Sequence, residues 1–169
     1  LGDATVEAAA LHHPQGCLGY RIETGRGIVV YTTDNEPGDR VGDEAIRHLA
    51  RGADVLIYDA QYSPAILRQR RGWGHSSWLE GVGVARSAGV RFLILFHHDP
   101  DSDDATVGRY VRLAQEQWPE TQGAAEGLQI NCRTPAIDFE TTRPRVGPRV
   151  GARIPVRLRG KRTDGSSLE

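Results

Sequence analysis

The sequence predicts an α/β layered fold (of the α+β layered kind) built on a mixed sheet. Two strand-length apolar runs, DVLIYDA and VRFLILF, alternate with helix-patterned segments, and three shorter β-rich runs precede them. A continuous apolar run of about five residues is what a strand buried on both faces requires. The three earlier runs, ATVEAAALHH, CLGYRIET and GIVVYTT, are separated by Pro14-Gln15-Gly16 and Gly25-Arg26-Gly27. Such turn signals at close spacing predict a small antiparallel meander.

The sequence Asp34-Asn35-Glu36-Pro37-Gly38 ends the third strand. From Arg40 to Arg51, apolar Val41, Ala45, Ile46, Leu49 and Ala50 recur at helical spacing. Pro64 to Arg71 predicts a short helix, and Ser76 to Ala88 a second one with Ser76 as its N-cap. Ser102 or Asp103 caps a helix that runs to Trp118. Beyond Cys132 the periodicity dissolves, and Thr134 to Glu169 is rich in Pro, Arg and Gly. The expected organisation is therefore one domain over residues 1–132 and a disordered basic tail over 133–169.

The chain has 169 residues, 38% apolar and 25% charged, enough for one domain with a real core. No apolar run approaches the ~20 residues of a membrane helix, and the opening lacks the basic start and apolar stretch of a signal peptide. A first residue of Leu1, with strand-like sequence up to Leu11, reads as a fragment, a processed product or an incomplete reading frame. Cys17 and Cys132 make no disulfide framework and no paired metal spacing. Both are expected to be small buried hydrophobes, and a cytoplasmic location is expected with them. Eight of the 21 basic residues lie between Arg143 and Arg162, with no acid among them. Residues 1–142 keep 13 basic and 20 acidic groups, so a near-neutral total hides an acidic body and a basic tail.

His13, Asp34, Asp59 and His97 each stand at or just beyond the end of a predicted strand. Strand ends aim side chains from a rigid scaffold, and ligands of layered α/β folds bind there. Imidazoles and carboxylates suit hard or borderline divalent metals. Each residue also has a plain structural reading: a surface histidine, a turn-forming aspartate at DNEPGD, a polar HHDPDSDD loop that caps a helix. Gly72-Trp73-Gly74-His75-Ser76-Ser77 sets a histidine on a glycine-flanked loop ahead of a helix, with Trp73 expected beside the imidazole. Alternatively Trp73 and Trp78 only anchor that loop.

These motifs resemble the metallo-β-lactamase superfamily, in its tRNA 3′-processing endonuclease (RNase Z) and cyclic-nucleotide phosphodiesterase-like branch, over about Leu11 to Ile130. LHHPQGCLGYRIE is similar to the family's histidine turn leading into a Gly-Tyr-Arg strand, with His13 and not His12 in the ligand register. YTTDNE is similar to the strand that ends in the metal-bridging aspartate, here Asp34. LIYDAQY with GWGHSS resembles the acidic residue and histidine loop, here Asp59 and His75, and RFLILFHHDP the last ligand strand, with His97. The family's His-x-His-x-Asp-His signature is absent from this chain.

The resemblance implies half of an αββα sandwich: a mixed β-sheet with helices on one face. It implies a metal-dependent hydrolase in which His13, Asp34 and His97 help to hold two divalent ions, zinc first, with manganese or iron as alternatives. His75, oriented by Asp59, is then the proton donor, and the expected substrate is a small-molecule or nucleotide phosphodiester. Expected partners are the missing N-terminal half, or a second copy of the chain, and RNA or DNA at the basic tail. The alternative is a non-catalytic module that dimerises or binds another chain.

Overall fold

The structure, a computed structural model, describes residues 3–130 and 132. The predicted tail over 133–169 lies outside the described residues. The chain divides after Ala124 into two units. The fold concerns the first; the described part of the second holds a turn in which the Leu128 N–H donates to the Ala125 carbonyl at 3.2 Å.

Six strands form one sheet in sequence order: β1 (Thr5–Leu11), β2 (Cys17–Thr24), β3 (Gly27–Thr32), β4 (Val55–Asp59), β5 (Phe92–Phe96) and β6 (Thr121–Gly123). The first three pair antiparallel, as the short turns predict. From β3 onward the pairs are parallel, joined by helical crossovers. The sheet is mixed, as expected. Strand β6 was not expected, because Thr-Gln-Gly carries no apolar pattern; its pairing is set by its neighbour, through Leu93↔Thr121 and Leu95↔Gly123.

The helices are α1 (Arg40–Ala50), α2 (Pro64–Gln69), α3 (Trp78–Ala88) and α4 (Asp104–Gln115). Helix α1 buries Gly42, Ile46, Leu49 and Ala50, a stripe at helical spacing, and Asp39 caps it by accepting the Gly42 N–H. Helix α2 starts with Ser63 as its cap and Pro64 at the first position, where no N–H is missed. The cap of α3 is Ser77 rather than Ser76: Ser77 accepts the Glu80 N–H, while the Ser76 hydroxyl is spent on the buried Tyr58 phenol. Gly89 ends α3 in the left-handed region at φ 66. Asp103 caps α4, which stops at Gln115, short of the expected Trp118.

One core holds the layers together. It joins Leu11, Val30, Leu56, Tyr58, Leu93 and Leu95 from the strands with Ile46, Leu49, Val82, Ala85, Tyr110 and Ala114 from α1, α3 and α4. By register these strand residues share one sheet face. The three helices therefore lie on that face, as crossovers of the usual right hand between successive neighbouring strands would place them. Helix α3 comes close at Gly81, where an added Cβ would lie 2.9 Å from the Tyr58 ring. The opposite face is apolar too. Val55, Ile57, Phe92 and Ile94 are buried there, whereas Val6 and Leu18, toward the β1 edge, are 49% and 50% exposed.

Cys17 and Cys132 are half-buried rather than fully buried. The reason at Cys17 is its place at the sheet's end, where the thiol donates to the Asp34 carbonyl at 2.8 Å. Among the described residues no helix is long and apolar enough to cross a membrane.

Candidate active site

Strand direction explains why the polar residues meet. β1 and β3 flank the antiparallel β2 and so run the same way, and β4 and β5 are parallel to β3. The C-terminal ends of all four strands lie on one edge of the sheet. His13 follows β1, Asp34 follows β3, Asp59 ends β4 and His97 follows β5. His75 arrives from the crossover between β4 and β5, just ahead of α3.

Asp59 is the hub. Its carboxylate has no solvent exposure and is filled on all sides. Oδ1 accepts the backbone N–H groups of Gln61 and Ser76, both at 3.1 Å. Oδ2 accepts the backbone N–H of Asp34 at 3.0 Å and stands 3.0 Å from His75 Nδ1. One buried charge thus ties together the ends of β3 and β4 and the histidine loop.

The imidazole of His75 stacks on that of His97, centroids 4.9 Å apart and planes 22° from parallel. His13 meets it edge-on at 5.9 Å. The other ring at its edge is Tyr62, also at 5.9 Å. Trp73, expected beside this imidazole, instead stands 60% exposed with the Arg70 guanidinium over its ring at 5.1 Å. Burial disfavours the His75 imidazolium. The Asp59 hydrogen bond and the charges of Asp59, Asp34 and Glu36 outweigh that and hold its pKa above the ordinary histidine value.

His97 Nε2 lies 3.4 Å from Asp34 Oδ1, and its Nδ1 3.6 Å from Asp59 Oδ2. That Nδ1 is buried and has no hydrogen-bond partner among the described residues. Asp34 and His97 are also the two described non-glycine residues with positive φ, at 56° and 57°. Backbone strain of this kind, about 1–3 kcal/mol each, persists where the surrounding structure enforces it and concentrates at functional sites.

Two sets of donor atoms come within 4.8 Å of one another: His13, Asp34 and His75, and Asp59, His75 and His97. All five expected site residues thus gather in one place. The grouping is not the expected His13–Asp34–His97, because His75 belongs to both sets. His12 is in neither set; its Nδ1 lies 3.1 Å from the Glu36 carbonyl.

Glu36, not among the residues expected at the site, belongs to it. It is buried, and its carboxylate accepts backbone N–H groups from Gly72 and Gly74. Burial opposes its charge, yet those two hydrogen bonds, with His12 and Arg71 nearby, pull its pKa below the ordinary glutamate value. Its partners are 36 and 38 residues away, so nothing local in DNEPGD could have shown it.

Among protein families, the β-lactamase superfamily domain matches residues 1–98. Ribonuclease Z of Brevibacillus brevis is 34% identical over 120 residues, covering 69% of this chain and 36% of the relative. Ribonuclease Z of Thermoplasma volcanium is 37% identical over 116 residues, covering 66% and 34%. The chain thus spans about a third of the length of these curated relatives. Among solved structures, the metallo-β-lactamase fold protein YhfI of Bacillus subtilis superposes with a TM-score of 0.60 at 25% identity, over 73% of this chain and 48% of that one. The short form of human tRNase Z gives 0.53 at 20% identity, over 73% and 41%.

Proposed function

Because the chain belongs to the β-lactamase superfamily domain family, in its ribonuclease Z-like branch, we propose that it supplies part of the active centre of a metal-dependent phosphodiesterase. The observation that carries this reading is the His75–Asp59 pair standing among His13, Asp34 and His97 at the sheet edge.

The residues fit a divalent ion. Imidazole nitrogens and a carboxylate are the donors that zinc and its neighbours take, and His97 Nε2 already faces the Asp34 carboxylate at 3.4 Å. His13 and Asp34, which share a donor set, and His97, whose Nε2 faces Asp34, would hold the ion, with further donors from outside this chain, since the His-x-His-x-Asp-His segment is absent. When bound, divalent ions supply Lewis acidity, polarising the phosphoryl group and making water a competent nucleophile near neutral pH.

The chain's own residues do the rest. Asp59 accepts a hydrogen bond from His75 Nδ1–H and fixes both the tautomer and the ring. The raised pKa keeps His75 an imidazolium over a wider pH range. Its Nε2 proton goes to the leaving oxygen as the P–O bond breaks, and an acyl substrate has less need of such a donor. The relatives' name, Ribonuclease Z, favours a nucleotide phosphodiester, and the basic tail would add RNA or DNA contacts in a cytoplasmic enzyme.

The test is complementation. The chain is fused behind the N-terminal half of the Brevibacillus brevis ribonuclease Z and assayed on bis-p-nitrophenyl phosphate with Zn²⁺ or Mn²⁺. Turnover that Asp34→Ala abolishes supports the reading; a folded, metal-loaded fusion without turnover refutes it.

Exposed Val6 and Leu18 on the sheet face away from the helices favour a second reading, a module that covers this face with another copy of itself. A monodisperse dimer on size-exclusion chromatography that Leu18→Lys dissociates supports it, and a monomer rejects it.

A further inference from the structure

We infer that Glu36 is a positioning residue: it clamps the loop that carries His75 onto the turn that carries His13. The clamp has two ends. On the side-chain end, the Gly72 N–H reaches both carboxylate oxygens at 2.9 Å, and the Gly74 N–H reaches Oε2 at 2.8 Å. On the backbone end, the Glu36 N–H donates to the His12 carbonyl at 2.8 Å, and the Glu36 carbonyl receives His12 Nδ1 at 3.1 Å. A single residue thereby spans the two segments, and Asp34 stands two positions before it.

Glu36 is 4% exposed, so these hydrogen bonds do not compete with bulk water. Arg71, next to the loop, leans the same way, with Nη1 at 4.0 Å from Oε1 and 2.5 Å from the Pro37 carbonyl. A carboxylate suits the task because two amides converge on it and it offers acceptors only. Glutamine with its oxygen at the Oε2 position would keep the Gly74 bond and set an NH₂ against the Gly72 amide.

The loop needs a clamp. Gly72 and Gly74 both sit at φ 85, a conformation cheap for glycine but one of many it can visit. Left free, those two glycines would leave the loop held only from its far side, by Asp59 at His75 and Ser76. Held, they press the loop onto His13: a Cβ on Gly74 would lie 2.6 Å from His13 Nε2 and 2.7 Å from Pro14 Cδ. His75 is the next residue, so the spacing of the two histidines is set here. The consequence for proton transfer rests on the proposed role of His75. The clamp itself does not, and it can be read without any turnover.

The test uses the ¹⁵N,¹³C-labelled chain. In Glu36→Ala, amide hydrogen exchange at Gly72 and Gly74 should accelerate ~10-fold or more, while the core amides of Leu56 and Leu93 keep their rates. The nuclear Overhauser contact between the Gly74 Hα protons and the His13 ring should vanish with it. Glu36→Gln should accelerate less than Glu36→Ala, and at Gly72 more than at Gly74, because an oxygen kept at the Oε2 position still meets both amides while the NH₂ replaces the oxygen that only Gly72 reaches. Unchanged exchange and an unchanged His13–Gly74 contact in Glu36→Ala would overturn the inference. So would acceleration spread equally over Leu56 and Leu93, which would make Glu36 a contributor to global stability only. Should Glu36→Ala fail to fold, Glu36→Met decides, since it keeps the length and offers no carboxylate oxygen: both glycines deprotected over an unchanged core supports the clamp, and both still protected removes it.

Discussion

His75 Nδ1 stands 3.0 Å from Oδ2 of Asp59, a carboxylate that solvent does not reach. Because this contact raises the His75 pKa, the imidazolium is the form the fold favours. A group whose folded pKa lies above its unfolded value adds stability below the unfolded pKa and loses it as pH rises through the folded one. His75 should therefore titrate above the ordinary value of about 6.5. Asp59→Asn should bring the midpoint down, as followed by histidine ring NMR; an unmoved midpoint would show that Asp59 does not set it.

Asp59 also holds three backbone N–H groups, those of Asp34, Gln61 and Ser76. Asp59→Ala leaves the buried Ser76 N–H and the part-buried Asp34 and Gln61 N–H groups without this acceptor and should cost roughly 3–5 kcal/mol in urea unfolding. Ser77→Ala, which removes only a helix cap, should cost about 1 kcal/mol. If the two losses are alike, Asp59 is not the hub described here.

Strain makes a separate prediction at Asp34, held at φ 56. Glycine accepts that conformation and alanine does not, at a cost of about 1–2 kcal/mol. Asp34→Gly should thus unfold at higher urea than Asp34→Ala, although both lose the carboxylate. Equal midpoints, or the reverse order, would mean the backbone there is not strained.

Packing supplies another. Alanine has a better helix propensity than glycine, yet Gly81→Ala should destabilise by about 1–3 kcal/mol, because its Cβ meets the Tyr58 ring at 2.9 Å. A neutral or stabilised Gly81→Ala would show that α3 can shift off the sheet freely.

The sequence made the sheet and the site edge legible because both depend on local pattern. Apolar runs locate β4 and β5, and a residue at the end of each of four like-directed strands must arrive at one edge. What was not legible depends on distant partners. β6 owes its existence to β5. The choice of Ser77 over Ser76 as the cap turns on a phenol 18 residues back, Tyr58, which takes the Ser76 hydroxyl. Glu36 reads as a turn residue before Pro37 until the fold brings Gly72 and Gly74 to it. The same holds for the donors: no spacing in the sequence says that His75 would fall within reach of both His13 and His97.

That last arrangement makes the role of His75 the point on which the account turns, since it stands where a proton donor or a metal ligand could stand. The decisive measurement is turnover together with metal content for His75→Ala in the fusion that carries the N-terminal half. The account predicts a fall in turnover of ~10²–10⁴ with the metal content unchanged, the usual scale for losing a general acid. Loss of bound metal in that variant would contradict it and make His75 a ligand.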